Sequence, residues 1–187
     1  QEYKDSLNKI ENHVERARKV VHNMLGYARK MEPHLEDVDV NSTLKQTIDL
    51  LKNYAVTNNI EITTAFSEDL PIIAGDQSRL QQVFLNLMTN AIDAIGSEGL
   101  IEVSSRQVDA FINIDITDNG PGISEVEQKK VFDPFFTTKE TGKGTGLGLW
   151  VSYDIIAKMG GNIRINSAVG KGTTFTVVLP AITPEKK

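Results

Sequence analysis

Apolar residues recur at Leu7, Ile10, Val14, Ala17, Val21, Met24, Ala28 and Met31, in alternating steps of three and four through an otherwise polar stretch. That period predicts a helix over residues 2–31 with one apolar seam. The seam needs cover, either from a helix of another chain or from the body of its own domain. Pro33 ends the helix, and residues 34–40 read as a short linker. A second helix is expected from about Ser42, with Leu44, Ile48, Leu51 and Ala55 on one face. "IEITTAF" at 60–66 reads as a strand. Asp76 is suited to cap a long helix carrying Leu80, Val83, Phe84, Leu87, Ala91 and Ile95, with Gly96 and Gly99 ending it.

Beyond that helix, "LIEVSSR" (100–106) and "FINIDIT" (111–117) alternate as a hairpin would, with Ile112, Ile114 and Ile116 on one face. Ser124 and Glu127 have the spacing of a capping box for a short helix. A further helix is predicted from Leu147 to Met159, stopped by Gly160 and Gly161. "NIRINSA" and "TTFTVVLP" supply two closing strands. The order implies an α+β fold, with helices on one face of a largely antiparallel sheet.

Composition narrows the class. The chain has 187 residues, 40% hydrophobic and 24% charged, as in globular domains. No run approaches the ~18 apolar residues of a membrane span. There is no secretory pattern after Gln1, so the sequence reads as a piece of something longer, any membrane anchor of the parent lying elsewhere. The absence of cysteine excludes disulfides and thiolate chemistry and fits a cytoplasmic setting. The net charge is −5, with no basic block before Lys186 and Lys187, which argues against a nucleic-acid partner.

Three segments carry candidate chemistry. "GKGTGLGLW" (142–150) puts glycine at 142, 144, 146 and 148 before an apolar helix. It breaks both the P-loop pattern and the dinucleotide fingerprint. Its physics remains that of anion binding, through close backbone N–H groups and a helix N-terminus, with Lys139 and Lys143 adding charge. The alternative is a surface loop without a ligand. "DNGPGIS" (118–124) follows a strand, so Asp118 can accept from an exocyclic amine while Gly120 and Gly122 admit a flat ring. The alternative is a turn that uses Asp and Gly for geometry. Asn86, Asn90 and Asp93 share one helix face. They form either a row of oxygens for Mg²⁺ shared with phosphates or a solvated polar face.

"NLMTNAIDA", "DNGPGIS", "FDPFFTTK", "GKGTGLGLW" and "GKGTTF" occur in this order. Over residues 40–181 the chain resembles the ATP-binding domain of sensor histidine kinases, within the superfamily shared with DNA gyrase, heat-shock chaperones and mismatch-repair ATPases. "FDPFFTTK" with "GTGLGL" resembles the nitrogen-regulation branch. The resemblance implies a two-layer α/β sandwich, its mixed five-stranded sheet covered by three helices, binding ATP and Mg²⁺. Asn90 would coordinate the metal, and Asn86 would help at the phosphates. Asp118 would take the adenine amine, with Thr173 beside it and Gly120 and Gly122 shaping the pocket. Thr138, Lys139 and the run Gly142, Lys143, Gly144, Thr145, Gly146, Leu147 and Gly148 would hold phosphates as a pliable lid, anchored by Phe132, Phe135 and Phe136.

The departures bear on the reaction. Hydrolytic relatives carry a glutamate four residues before the metal-binding asparagine, where this chain has Asn86. An amide cannot abstract a proton, which favours transfer over hydrolysis. Asp93 stands where many histidine kinases have a basic residue. None of His13, His22 and His34 has the acidic residue and proline that follow an acceptor histidine. Residues 1–35 resemble the second helix of the dimerisation hairpin, and 36–187 the catalytic domain. No catalytic side chain is therefore assigned, and the piece is expected to bind Mg-ATP without phosphorylating itself. The parent would dimerise through the N-terminal helix and pass phosphate to a response regulator receiver domain. An ATP-hydrolysing relative and a non-catalytic docking module are the competing readings.

Overall fold

The computed structural model describes residues 35–139 and 144–181. The helix expected over 2–31, the pair Gly142 and Lys143, and the tail after Ala181 lie outside the described residues. From β1 (Glu36–Val38) the chain runs through α1 (Val40–Thr57), β2 (Ile60–Phe66), β3 (Ile73–Gly75) and α2 (Gln77–Ile95). It continues as β4 (Gly99–Val108), β5 (Phe111–Asp118), the single-turn α3 (Glu125–Gln128), α4 (Gly148–Lys158), β6 (Asn162–Ser167) and β7 (Thr173–Pro180).

The main sheet has the order β2-β4-β5-β7-β6. β2 and β4 pair in parallel, because the crossover through α2 returns the chain in the same direction. The other pairings are antiparallel. The expected mixed, mostly antiparallel sheet is therefore the one observed. Ile112, Ile114 and Ile116 are buried on one face of β5. α1 packs over β2, α2 over β4 and β5, and α4 over β6 and β7, so the helices share that face. The other face is polar: Arg106 pairs with Asp115, whose Oδ1 accepts from Thr176 Oγ1 at 2.6 Å.

α2 is the central element. Asp76 caps it, accepting from the Arg79 backbone N–H at 3.1 Å. Leu80, Val83, Phe84, Leu87, Met88, Ala91 and Ile92 form its buried stripe. Each large side chain among them contributes roughly 1.5–3 kcal/mol on full burial. Gly96 ends the helix with φ 79°. Gly99 belongs instead to β4.

One local expectation is corrected and one refined. Residues 36–38 are not linker but strand β1, antiparallel to β3, with Val38 and Ile73 both buried. A three-residue strand with one apolar position has no readable period; its partner, 35 residues on, makes it a strand. The start of α1, expected at about Ser42, is fixed at Val40, because Asp39 is the cap and accepts from Ser42 N at 2.9 Å. No described helix is long and apolar enough to cross a membrane.

Candidate functional site

Three contacts follow one another along the flank of α2. Near its C-terminal end, Gly120 lies on the helix backbone: a Cβ there would stand 3.5 Å from Ala94 C and Ile95 N. One turn back, Asn90 Oδ1 accepts from Lys139 Nζ at 3.1 Å. A further turn back, Asn86 Nδ2 donates to Gly148 O and to Ser152 Oγ, each at 3.4 Å. From Asn86 to Ala94 is about 12 Å of helix. The end of β5, the segment ending at Lys139 and the start of α4 therefore line one side of α2 in sequence.

At the β5 end, Asp118 is buried and stands opposite Thr173 across the β5–β7 ladder. Its Oδ1 accepts from Gly120 N at 2.9 Å. Burial raises the Asp118 pKa, while the Gly120 and Thr173 amides act in the opposite direction by favouring the carboxylate. Thr173 Oγ1 lies 2.9 Å from Ser167 Oγ. Ser167 Oγ itself donates to Gly172 O at 2.8 Å and accepts from Ile123 N at 2.8 Å. Its single proton is committed to Gly172, so the Thr173 hydroxyl is the donor of that pair. Gly122 has φ 72°, and any Cβ on it would collide with the Ala168 carbonyl oxygen, so the turn after Asp118 requires glycine.

At the other end, α4 starts at Gly148 after Leu147, with no side-chain cap. Its first amides keep the anion affinity of a helix N-terminus. Thr145 Oγ1 is used locally, accepting from Leu147 N at 3.3 Å. Gly146 has φ 65°, and a Cβ there would strike the Phe135 backbone. Phe135 N donates to Gly146 O at 2.9 Å, which ties the two strands of this loop together. Gly144 lies against Thr137 and Lys139, and Thr138 is exposed beside them. Gly142 and Lys143 lie outside the described residues.

The aromatic anchor is narrower than expected. Phe132 packs against Tyr153 and Phe175, with ring centroids at 5.3 and 6.4 Å. Phe136 is half-buried. Phe135 is 69% exposed, has φ 67°, and meets the loop through its backbone bond to Gly146. Asn86 is directed into the α2–α4 interface rather than toward Lys139.

Two contributors, Tyr54 and Ser167, escaped the sequence reading, and Asp93 gains partners that its place on the α2 face did not reveal. Asp93 Oδ2 pairs with Lys139 Nζ at 2.6 Å, and Tyr54 Oη donates to Asp93 Oδ1 at 2.7 Å. That hydrogen bond, with burial and the carboxylate charge, raises the Tyr54 pKa. Ser167 ties the nearby Gly172 and Thr173 to the distant Ile123. The partners of Asp93 lie 39 residues back and 46 residues on, too far for any spacing to reveal them.

Asn90 Oδ1 is a hard oxygen donor of the kind Mg²⁺ takes, and in this structure it accepts from the Lys139 ammonium. Among the described residues no group of three or more His, Cys, Asp or Glu side chains is placed to hold a metal. A metal here would take one protein oxygen and complete its shell with phosphate and water, the habit of Mg²⁺.

Residues 75–183 match the family described as histidine kinase-, DNA gyrase B- and HSP90-like ATPase. The chain belongs to that family. It is 39% identical over 167 residues to the sensor histidine kinase ZraS of Escherichia coli (strain K12), covering 89% of this chain and 36% of that protein. It is 36% identical over 172 residues to sporulation kinase B of Bacillus subtilis (strain 168), covering 91% of this chain and 40% of that one. The chain thus spans little more than a third of these relatives. The nucleotide-free catalytic domain of histidine kinase ThkA superposes with a TM-score of 0.73 at 31% identity, covering 82% of this chain and 99% of that one. Full-length ShkA in complex with AMPPNP superposes with a TM-score of 0.80 at 29% identity, covering 97% and 38%. ThkA in complex with the response regulator protein TrrA gives 0.79 at 29% identity, covering 96% and 51%.

Proposed function

We propose that the chain binds Mg-ATP along α2 and acts as the catalytic domain of a sensor histidine kinase, residues 36–187 forming that domain. The observation that carries this reading is the order of contacts on α2: a buried carboxylate beside Gly120, an amide oxygen facing a cation at Asn90, and an uncapped helix N-terminus at Asn86. Laid along it, the adenine amine meets Asp118, the base sits over Gly120 and Gly122, and Thr173 closes that edge. The triphosphate meets Asn90, Lys139 and the amides of Gly146 and Gly148, with Leu147 N–H released from Thr145 Oγ1 to join them. Mg²⁺, held by Asn90, would neutralise charge on the phosphate oxygens.

The protein's share of catalysis is positioning and charge neutralisation. Asn86 is a neutral amide engaged with α4, so no carboxylate in this position activates water. The γ-phosphoryl group therefore passes in line to an imidazole nitrogen of a dimerisation hairpin, then to an aspartate of a response regulator receiver domain. The ThkA–TrrA likeness supports that partner. We place the domain in the cytoplasm, where ATP and such partners are found.

The test is incubation with Mg-[γ-³²P]ATP, alone and with a histidine-bearing hairpin supplied in trans. Acid-labile label on the hairpin, with none on this chain, is expected. Steady phosphate release without an acceptor would instead make it a hydrolase, and stable label on His13 or His22 would overturn the assignment of the acceptor.

A further inference from the structure

A carboxylate next to a triphosphate site is electrostatically adverse unless something neutralises it. Asp93 lies one turn along from Asn90 on α2, and Lys139 Nζ bridges the two, 2.6 Å from Asp93 Oδ2 and 3.1 Å from Asn90 Oδ1. The carboxylate is itself fixed from the far side by the Tyr54 hydroxyl of α1, at 2.7 Å. An ammonium has three N–H donors. Two are committed to α2, and one remains for a ligand. The flexible lysine stem loses rotamer freedom when ordered. In this arrangement that loss is met before nucleotide arrives.

We infer that Asp93 is a positioning residue: supported by Tyr54, it holds Lys139 beside Asn90 so that the ammonium is already in place for the β- and γ-phosphates. The inference rests on the nucleotide reading of the site. Asp93 does not touch the nucleotide; it acts through Lys139. The effect of Asp93 on affinity therefore changes sign when the lysine is removed. With Lys139 present, the carboxylate organises a cation. Without it, the same carboxylate is a bare negative charge beside a polyanion.

The experiment is a double-mutant cycle on the whole chain, read by calorimetry with Mg-ATP and with AMP. Asp93→Asn should raise the Kd for Mg-ATP about threefold to fivefold, the scale of a half-exposed ion pair. The Kd for AMP, which lacks the β- and γ-phosphates, should stay within about twofold. Lys139→Ala should cost about tenfold or more for Mg-ATP, the scale of a charged hydrogen bond. In that background Asp93→Asn should cause no further loss, or tighten binding. Asp93→Glu should recover part of the affinity, and Tyr54→Phe should lose about twofold. Equal losses from Asp93→Asn in both backgrounds, or unchanged or tighter binding in the single variant, would overturn the inference and leave the nucleotide site standing. If the unaltered chain bound neither Mg-ATP nor AMP, both readings would fall together.

Discussion

Asp118→Asn separates recognition from folding. The side chain keeps its shape but loses its charge and gains an N–H donor. An acceptor that meets the adenine amine as a carboxylate contributes a charge-assisted hydrogen bond, worth about 1.5–3 kcal/mol. Its loss raises the Kd for Mg-ATP roughly tenfold to 150-fold. The fold experiences two smaller, opposed effects. Gly120 N can still donate to the remaining oxygen. The amide group now faces one backbone N–H that the carboxylate accepted, at a cost of about 0.5–1.5 kcal/mol. Against this, a buried charge disappears, and burial is the first cause of the raised Asp118 pKa. The net change in stability should stay within about 1.5 kcal/mol, or a few degrees in Tm. Calorimetric titration with Mg-ATP and Mg-GTP, alongside thermal unfolding, reads both effects. The preference for ATP over GTP should shrink, because guanine offers an oxygen where adenine offers an amine. A folded variant with unchanged ATP affinity and preference would refute the adenine assignment.

Acid should weaken binding through the same group. Adenine recognition needs the carboxylate, and the raised Asp118 pKa means it is lost at a higher pH than for an exposed aspartate. Affinity should fall as pH drops through that range, with a steeper acid limb than in Asp118→Asn. Stability moves oppositely: the folded state holds this proton more tightly, so the Asp118 contribution declines as pH rises from the unfolded to the folded pKa, measurable as a Tm difference between the two proteins. Asn90→Ala should reduce the gain in ATP affinity on adding Mg²⁺ about tenfold, with metal-free binding little changed, read by titration with and without EDTA. Phe84, fully buried on α2, should cost about 3–5 kcal/mol on replacement by alanine, seen as a Tm fall of roughly 6–20 °C.

Local physics was enough for most of the framework. The apolar stripe of α2, the alternation of β5, the Asp76 cap, the Ser124–Glu127 capping box and the stop at Gly96 are each set by residues within a few positions of one another. The order of five motifs was enough to place the chain in its family, because those residue types at those separations seldom occur together for other reasons. The sequence also held the negative clue at position 86, since an amide can never act as a base.

What tertiary structure alone decided are the partnerships between distant residues. β1 is a strand only because β3 pairs with it. Gly146 can carry no side chain because the Phe135 backbone lies against it. Asp93 read as an anomaly until Lys139, 46 residues on, and Tyr54, 39 residues back, closed on its two oxygens. Hydrogen bonds and ion pairs act over about 3 Å, and no period along the chain encodes which far segment will come within that reach.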